Sequence, residues 1–148
     1  MNLKEGLKFM ELVDYTGNLN NHNEYLQIIN KLENKCKYIE YVLVDKDDRK
    51  FIEKFDNLII SLKEKNEWCG TKSGGKSKVY KIKSSSEIFK CLKKFDTFCK
   101  YYVSNHGDVV EKTDFGINDI AFFDDNKMPL LFTITHEGCI IIRNDLLK

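Results

Sequence analysis

Three short apolar runs crowd the end of this chain, at residues 120–123 (IAFF), 130–135 (LLFTIT) and 139–143 (CIIIR). β-Branched and aromatic residues dominate each run, as in strands. The breaks between them are Asp124-Asp125-Asn126-Lys127 and His136-Glu137-Gly138, residue types that suit turns. Connections this short cannot cross over a sheet, so consecutive strands must run antiparallel. The spacing predicts a C-terminal antiparallel meander, with Pro129 tolerable at the first position of a strand. A sheet with an apolar face needs a second layer to cover it.

The rest of the chain is expected to supply that layer. Leu3, Leu7 and Met10 recur at helical spacing, and an Asn-rich stretch at 18–23 reads as a loop. A second helix follows with Leu26, Ile29, Leu32 and Cys36 on one face, then a segment at 38–44 that reads as a strand, with an extension of that helix as the alternative. Phe51, Phe55, Leu58, Ile59 and Leu62 form an apolar stripe that predicts a long helix over 47–65. A central hairpin is expected from strands 68–72 and 78–82 around Ser73-Gly74-Gly75-Lys76. Ser84 with Glu87 resembles a capping box for a helix carrying Ile88, Cys91, Leu92, Phe95, Cys99 and Tyr102. A loop is expected over 108–118, with a short strand at Val109-Val110. The predicted fold is a single α+β domain, 1–148. It has N-terminal helices, a central β-hairpin and helix, and a C-terminal antiparallel meander forming one sheet packed on helices.

Hydrophobic residues make up 42% of the 148, enough for a core without disulfide or metal staples. The five cysteines, Cys36, Cys69, Cys91, Cys99 and Cys139, are odd in number, scattered and without a CxxC pair, which predicts reduced thiols. No run approaches the roughly 20 apolar residues of a membrane span, and the first residues lack the apolar core of a secretion signal. The expected compartment is the cytosol. Lysines number 22 against two arginines, Arg49 and Arg143, with Ala121 the single alanine. That bias suits an AT-rich genome, such as a bacterium or its phage.

Gly70-Thr71-Lys72-Ser73-Gly74-Gly75-Lys76-Ser77 fits the phosphate-loop formula GxxxxGK[ST] at every fixed position. That chemistry needs a helix immediately after the loop. Here the alternating Lys78-Val79-Tyr80-Lys81-Ile82-Lys83 says strand instead, so a glycine-rich hairpin is expected rather than nucleotide hydrolysis. His22, His106 and His136 show no metal-ligand spacing, and no metal or cofactor is assigned. The pairs Asp47-Asp48 and Asp124-Asp125 fit a helix start and a turn. A small enzyme using Cys139 or Cys99 with a distant histidine has no local signature.

Charge is segregated. Residues 1–70 carry a net −2, residues 71–104 a net +7 and residues 105–148 a net −4. The lysine-rich 72–94 segment offers an anion-binding alternative through Lys72, Lys76 and Lys78, with nucleic acid as the partner, although it contains no arginine. The acidic end offers Asp108, Glu111, Asp114, Asp119, Asp124, Asp125 and Glu137, with Phe115 expected to be exposed among them.

The run Asn118-Asp119-Ile120-Ala121-Phe122-Phe123-Asp124-Asp125, followed by Leu131-Phe132-Thr133-Ile134-Thr135-His136-Glu137-Gly138, resembles the C-terminal third of small bacterial toxin-immunity proteins. The resemblance implies a cytosolic, non-enzymatic protein that neutralises a cognate toxin domain by occluding its active site, without cofactor or catalytic residue. The expected partner-binding residues are Asp108, Glu111, Asp114, Phe115, Asp119, Asp124, Asp125, His136 and Glu137.

Overall fold

The computed structural model describes residues 11–16, 21–98, 100–104, 107–111 and 115–147. In chain order its elements are β1 (Leu12–Asp14), α1 (His22–Lys35), β2 (Tyr38–Leu43), α2 (Lys50–Glu53), β3 (Ile59–Trp68), β4 (Thr71–Lys83), α3 (Ser86–Leu92), β5 (Lys100–Ser104), β6 (Gly107–Glu111), β7 (Asp119–Phe123), β8 (Pro129–Ile134) and β9 (Cys139–Arg143). Seven strands form one sheet in the order β1-β9-β8-β7-β2-β4-β3, and β5 pairs with β6 as a separate ribbon. Every pairing is antiparallel.

The α+β layout expected above is overturned. The sheet dominates, its strands come from the whole described chain, and among the described residues the α-helices are few, only α1 being longer than seven residues. The Leu3–Leu7–Met10 helix lies outside the described residues. The long helix predicted over 47–65 is only α2 and a 3-10 turn at Asp56–Leu58 before the chain becomes β3. Ile59 and Leu62 fit the helical stripe, but they also suit a strand. Pairing with β4 wins, with Leu62 opposite Tyr80 and Lys63 opposite Val79. A β-bulge at Ile60 shifts the register by one residue.

The central hairpin turns at Cys69-Gly70, not at Ser73–Lys76. Trp68 pairs with Thr71, and Gly70 takes φ +81°, the left-handed region open to glycine. Thr71–Lys83 is one strand, so the phosphate-loop formula lies along a ladder. Between the pairs Lys65–Ser77 and Glu67–Lys72, four residues of β4 oppose one of β3. Gly74 and Gly75 sit in that bulge, facing open space. The predicted helix of 84–102 stops at Leu92, and its cap is Ser85, whose Oγ accepts from the Ile88 N–H at 3.4 Å.

The helices cover one face of the sheet. Tyr25, Ile29 and Leu32 of α1, Phe51 and Ile52 of α2, and Ile88, Phe89 and Leu92 of α3 pack on Ile39, Tyr41, Ile82, Ile120, Phe122, Leu131 and Ile142. Burying each such side chain is worth about 1.5–3 kcal/mol. The other face is smaller, with Ala121, Phe123 and Phe132 at its centre and Tyr38, Cys69 and Ile134 around them. The β3–β4 tip curls over it. A Cβ on Gly70 would lie 2.5 Å from the Phe132 ring.

Candidate functional site

The expected acidic surface is taken apart by the fold. Phe115 is 1% exposed. Its ring sits among Tyr41, Phe51, Phe95 and Phe98, with centroids 4.9–6.5 Å away. An aromatic residue flanked by charges in sequence is here the plug of the helix-covered core, which corrects its expected exposure. Asp119 is 2% exposed. Its carboxylate accepts from Trp68 Nε1 at 2.9 Å and from the Thr135 N–H at 2.8 Å. It ties the hairpin to the β8–β9 turn and is not on offer to a partner.

Asp124 is also occupied. Its Oδ1 accepts from the Asn126 and Met128 amides, and its Oδ2 from Arg143 at 2.6 Å. Partial burial opposes its charge, but the Arg143 and backbone hydrogen bonds prevail and hold its carboxyl below the ordinary value. Asp125, His136 and Glu137 are exposed. They stand at opposite ends of β8, whose six residues span about 20 Å, so they do not converge on one spot. Asp108 and Glu111 lie on β6. Asp114 lies outside the described residues.

Asn118 is a structural residue that the sequence reading missed. It is fully buried; its amide donates to Tyr41 Oη at 2.9 Å and to the Asp48 carbonyl at 3.0 Å, and its Oδ1 accepts from the Asp45 N–H. It locks the β2–α2 connection against the start of β7. Nothing local in the sequence distinguishes it from a loop asparagine.

The basic segment is also divided. Lys72 pairs with Glu67 at 3.7 Å near the hairpin tip, both side chains exposed. Lys90 and Lys94 join Lys54 around a wide, open groove between α2 and α3 whose floor includes Phe55 and Phe95. Lys76 and Lys78 line a different hollow of about 270 Å³ with Leu43, Lys46, Arg49 and Glu64. Arg49 reaches Tyr80 Oη at 3.4 Å and Glu53 at 3.5 Å. Among the described residues, four cations thus meet one lining carboxylate in a single concavity; Arg49 belongs to the segment predicted as the 47–65 helix, and Lys46 lies just before it.

No family model, curated protein or solved structure matches this chain. Its chemistry must be read from its own residues.

Among the described residues no three His, Cys, Asp or Glu side chains group as metal ligands. His22 Nδ1 lies 3.0 Å from the Asp96 carbonyl, and His136 lies 3.8 Å from its neighbour Glu137. Cys99 and His106 lie outside the described residues. Burial pushes the Cys36 thiol up to about 11 and Cys69 to about 12, and raises Cys139 as well. A thiol so displaced carries little thiolate at neutral pH, the reverse of what a nucleophile needs.

Proposed function

We propose that this chain is a non-enzymatic protein-binding domain of the immunity type, which neutralises a cognate bacterial toxin domain in the cytosol by covering its active site. The observation that carries the reading is β3. It ends the sheet order, so among the described residues its outer side has no strand beside it. It runs for ten residues and exposes Ile60 at 56% and Leu62 at 48%. A long edge strand with exposed apolar side chains is a template for pairing with another chain. Lys63 and Lys65 on the same strand discourage indiscriminate edge pairing and favour a chosen partner. The docking surface is thus centred on β3 rather than on the acidic turns. No helix among the described residues is long and apolar enough to cross a membrane.

The test is co-expression with the product of the adjacent upstream gene. The expected result is a stable complex and loss of that product's toxicity. Ile60→Asp with Leu62→Asp is expected to abolish capture while leaving the circular dichroism spectrum unchanged. A neighbour that encodes no toxin, together with no inhibition of any candidate toxin, overturns the reading.

A further inference from the structure

The hollow beneath β4 gives the phosphate-loop formula a different use. A true phosphate loop holds its ligand with backbone N–H groups, whereas these residues lie along a strand. What remains is side-chain chemistry. Lys76 and Lys78 project from β4 into the same concavity as Lys46 and Arg49, with Leu43 on its wall and Glu64 as its one carboxylate. Glu64 faces Lys78 across the β3–β4 ladder and Arg49 meets Glu53, so positive charge remains in excess around the hollow. Like charges gathered in one concavity repel, and a bound polyanion relieves that repulsion while gaining charge-assisted hydrogen bonds.

Shape and composition narrow the ligand. A volume of about 270 Å³ accommodates two or three phosphoryl groups. Among the described residues no aromatic ring lines the hollow, so they offer no platform on which a base would stack. The guanidinium of Arg49 uses only part of its five-donor fork on Tyr80 and Glu53. The Gly74-Gly75 bulge, open on its outer side, lets the adjoining Lys76 adjust to a bound anion.

We propose that Lys46, Arg49, Lys76 and Lys78 bind the di- or triphosphate group of a small phosphorylated ligand. The hollow adjoins the β3 docking surface through Glu64, two residues from Leu62. Its cations lie on β4 and on the β2–α2 connection, so substitutions at Lys76 and Lys78 leave Ile60 and Leu62 in place, and the failure of either reading is distinguishable from that of the other. Binding involves no bond cleavage.

The experiment is calorimetric titration of the full chain with inorganic tripolyphosphate at about 50 mM salt, where screening is modest. Binding of one tripolyphosphate per chain is expected, weakened by added salt. Lys76→Ala with Lys78→Ala is expected to weaken it at least about tenfold, through loss of charge-assisted contacts. Lys90→Ala with Lys94→Ala, in the other groove, serves as control and is expected to change it less than about twofold. All four side chains are exposed, so both variants are expected to fold, which their circular dichroism spectra check. A second arm uses a nucleoside triphosphate. Tighter binding than tripolyphosphate assigns the phosphate to a nucleotide, equal binding to a polyphosphate chain, and both support the site if the Lys76/Lys78 variant loses them. Equal losses in the two double variants, several ions bound per chain, or preference for a single-stranded oligonucleotide that engages both lysine pairs would overturn the proposal.

Discussion

Replacing Arg143 with methionine removes the charge that joins two corners of the sheet. Arg143 is 5% exposed. It donates to Asp124 on the β7–β8 turn at 2.6 Å and to both oxygens of Asp145 at 2.7 and 3.0 Å, and Asp145 also meets Lys35 of α1 at 3.1 Å. Breaking a buried pair from one side typically costs about 3–5 kcal/mol, because the abandoned charge stays desolvated. The two carboxylates keep 15% and 24% of their surface, so water recovers part of that, and about 3 kcal/mol is expected. In urea this is a midpoint shift of about 1.5 M at a slope of about 2 kcal/mol/M. The melting temperature falls by about 9 °C.

The same change carries a pH signature. The Arg143 hydrogen bonds hold Asp145 below its ordinary 3.8, with desolvation opposing and Lys35 assisting, and Asp124 is also held below that value. Carboxyls depressed on folding contribute stability above their unfolded value and lose it as pH falls through the folded one. The gap between native protein and Arg143→Met should therefore be full at pH 7 and shrink below about pH 4. Urea unfolding followed by Trp68 fluorescence and circular dichroism measures both. A loss under about 1 kcal/mol at pH 7, or a gap unchanged down to pH 3, would refute the reasoning.

Asn118→Ala strands the Asp45 N–H and the Asp48 carbonyl and is expected to cost about 2–3 kcal/mol by urea unfolding; Asp125→Ala, at an exposed turn, should stay within about 0.5 kcal/mol. Gly70→Val forces a β-branched residue into positive φ and against the Phe132 ring. It should cost at least about 2 kcal/mol and shift Trp68 emission as the hairpin tip lifts; an unchanged spectrum would mean the tip is not held there. Cys36 and Cys69, their thiols pushed to about 11 and 12, should alkylate far more slowly than a free thiol at pH 8. Rapid labelling of either in the folded protein would contradict their burial.

How far the sequence discloses this structure depends on the range over which each signal acts. The meander strands occur where continuous apolar runs rich in β-branched and aromatic residues and short polar breaks put them, since both signals are local. The Leu26–Ile29–Leu32 helix is equally local, fixed by its stripe and by the Asn21 cap. The segment 47–65 misleads because Phe51, Phe55, Leu58 and Ile59 satisfy a helical period, while the partner that makes Ile59–Trp68 a strand is another segment of chain. The double glycine at 74–75 suggests a turn, yet Gly70 alone takes the positive φ that the turn requires. Asp119 and Phe115 are the sharpest cases. A carboxylate and an aromatic in an acidic stretch look like surface, and only the distant Trp68, Thr135 and Phe51 reveal them as interior.

The sheet order also governs when the protein can fold. β2 is an interior strand, yet its neighbours β4 and β7 follow it in the chain, and β7, the middle strand of the seven, comes only after the helices and the ribbon have been made. The short β1 pairs with β9, nearly the whole described chain away. Loop-closure entropy must be met before such pairings return any stabilisation, so folding is expected to be slow for this size. On the ribosome, Ile39 and Tyr41 emerge long before the Phe122 and Ile120 strand that flanks them. Until then the nascent chain carries an exposed apolar strand, and a chaperone or α1 must shelter it.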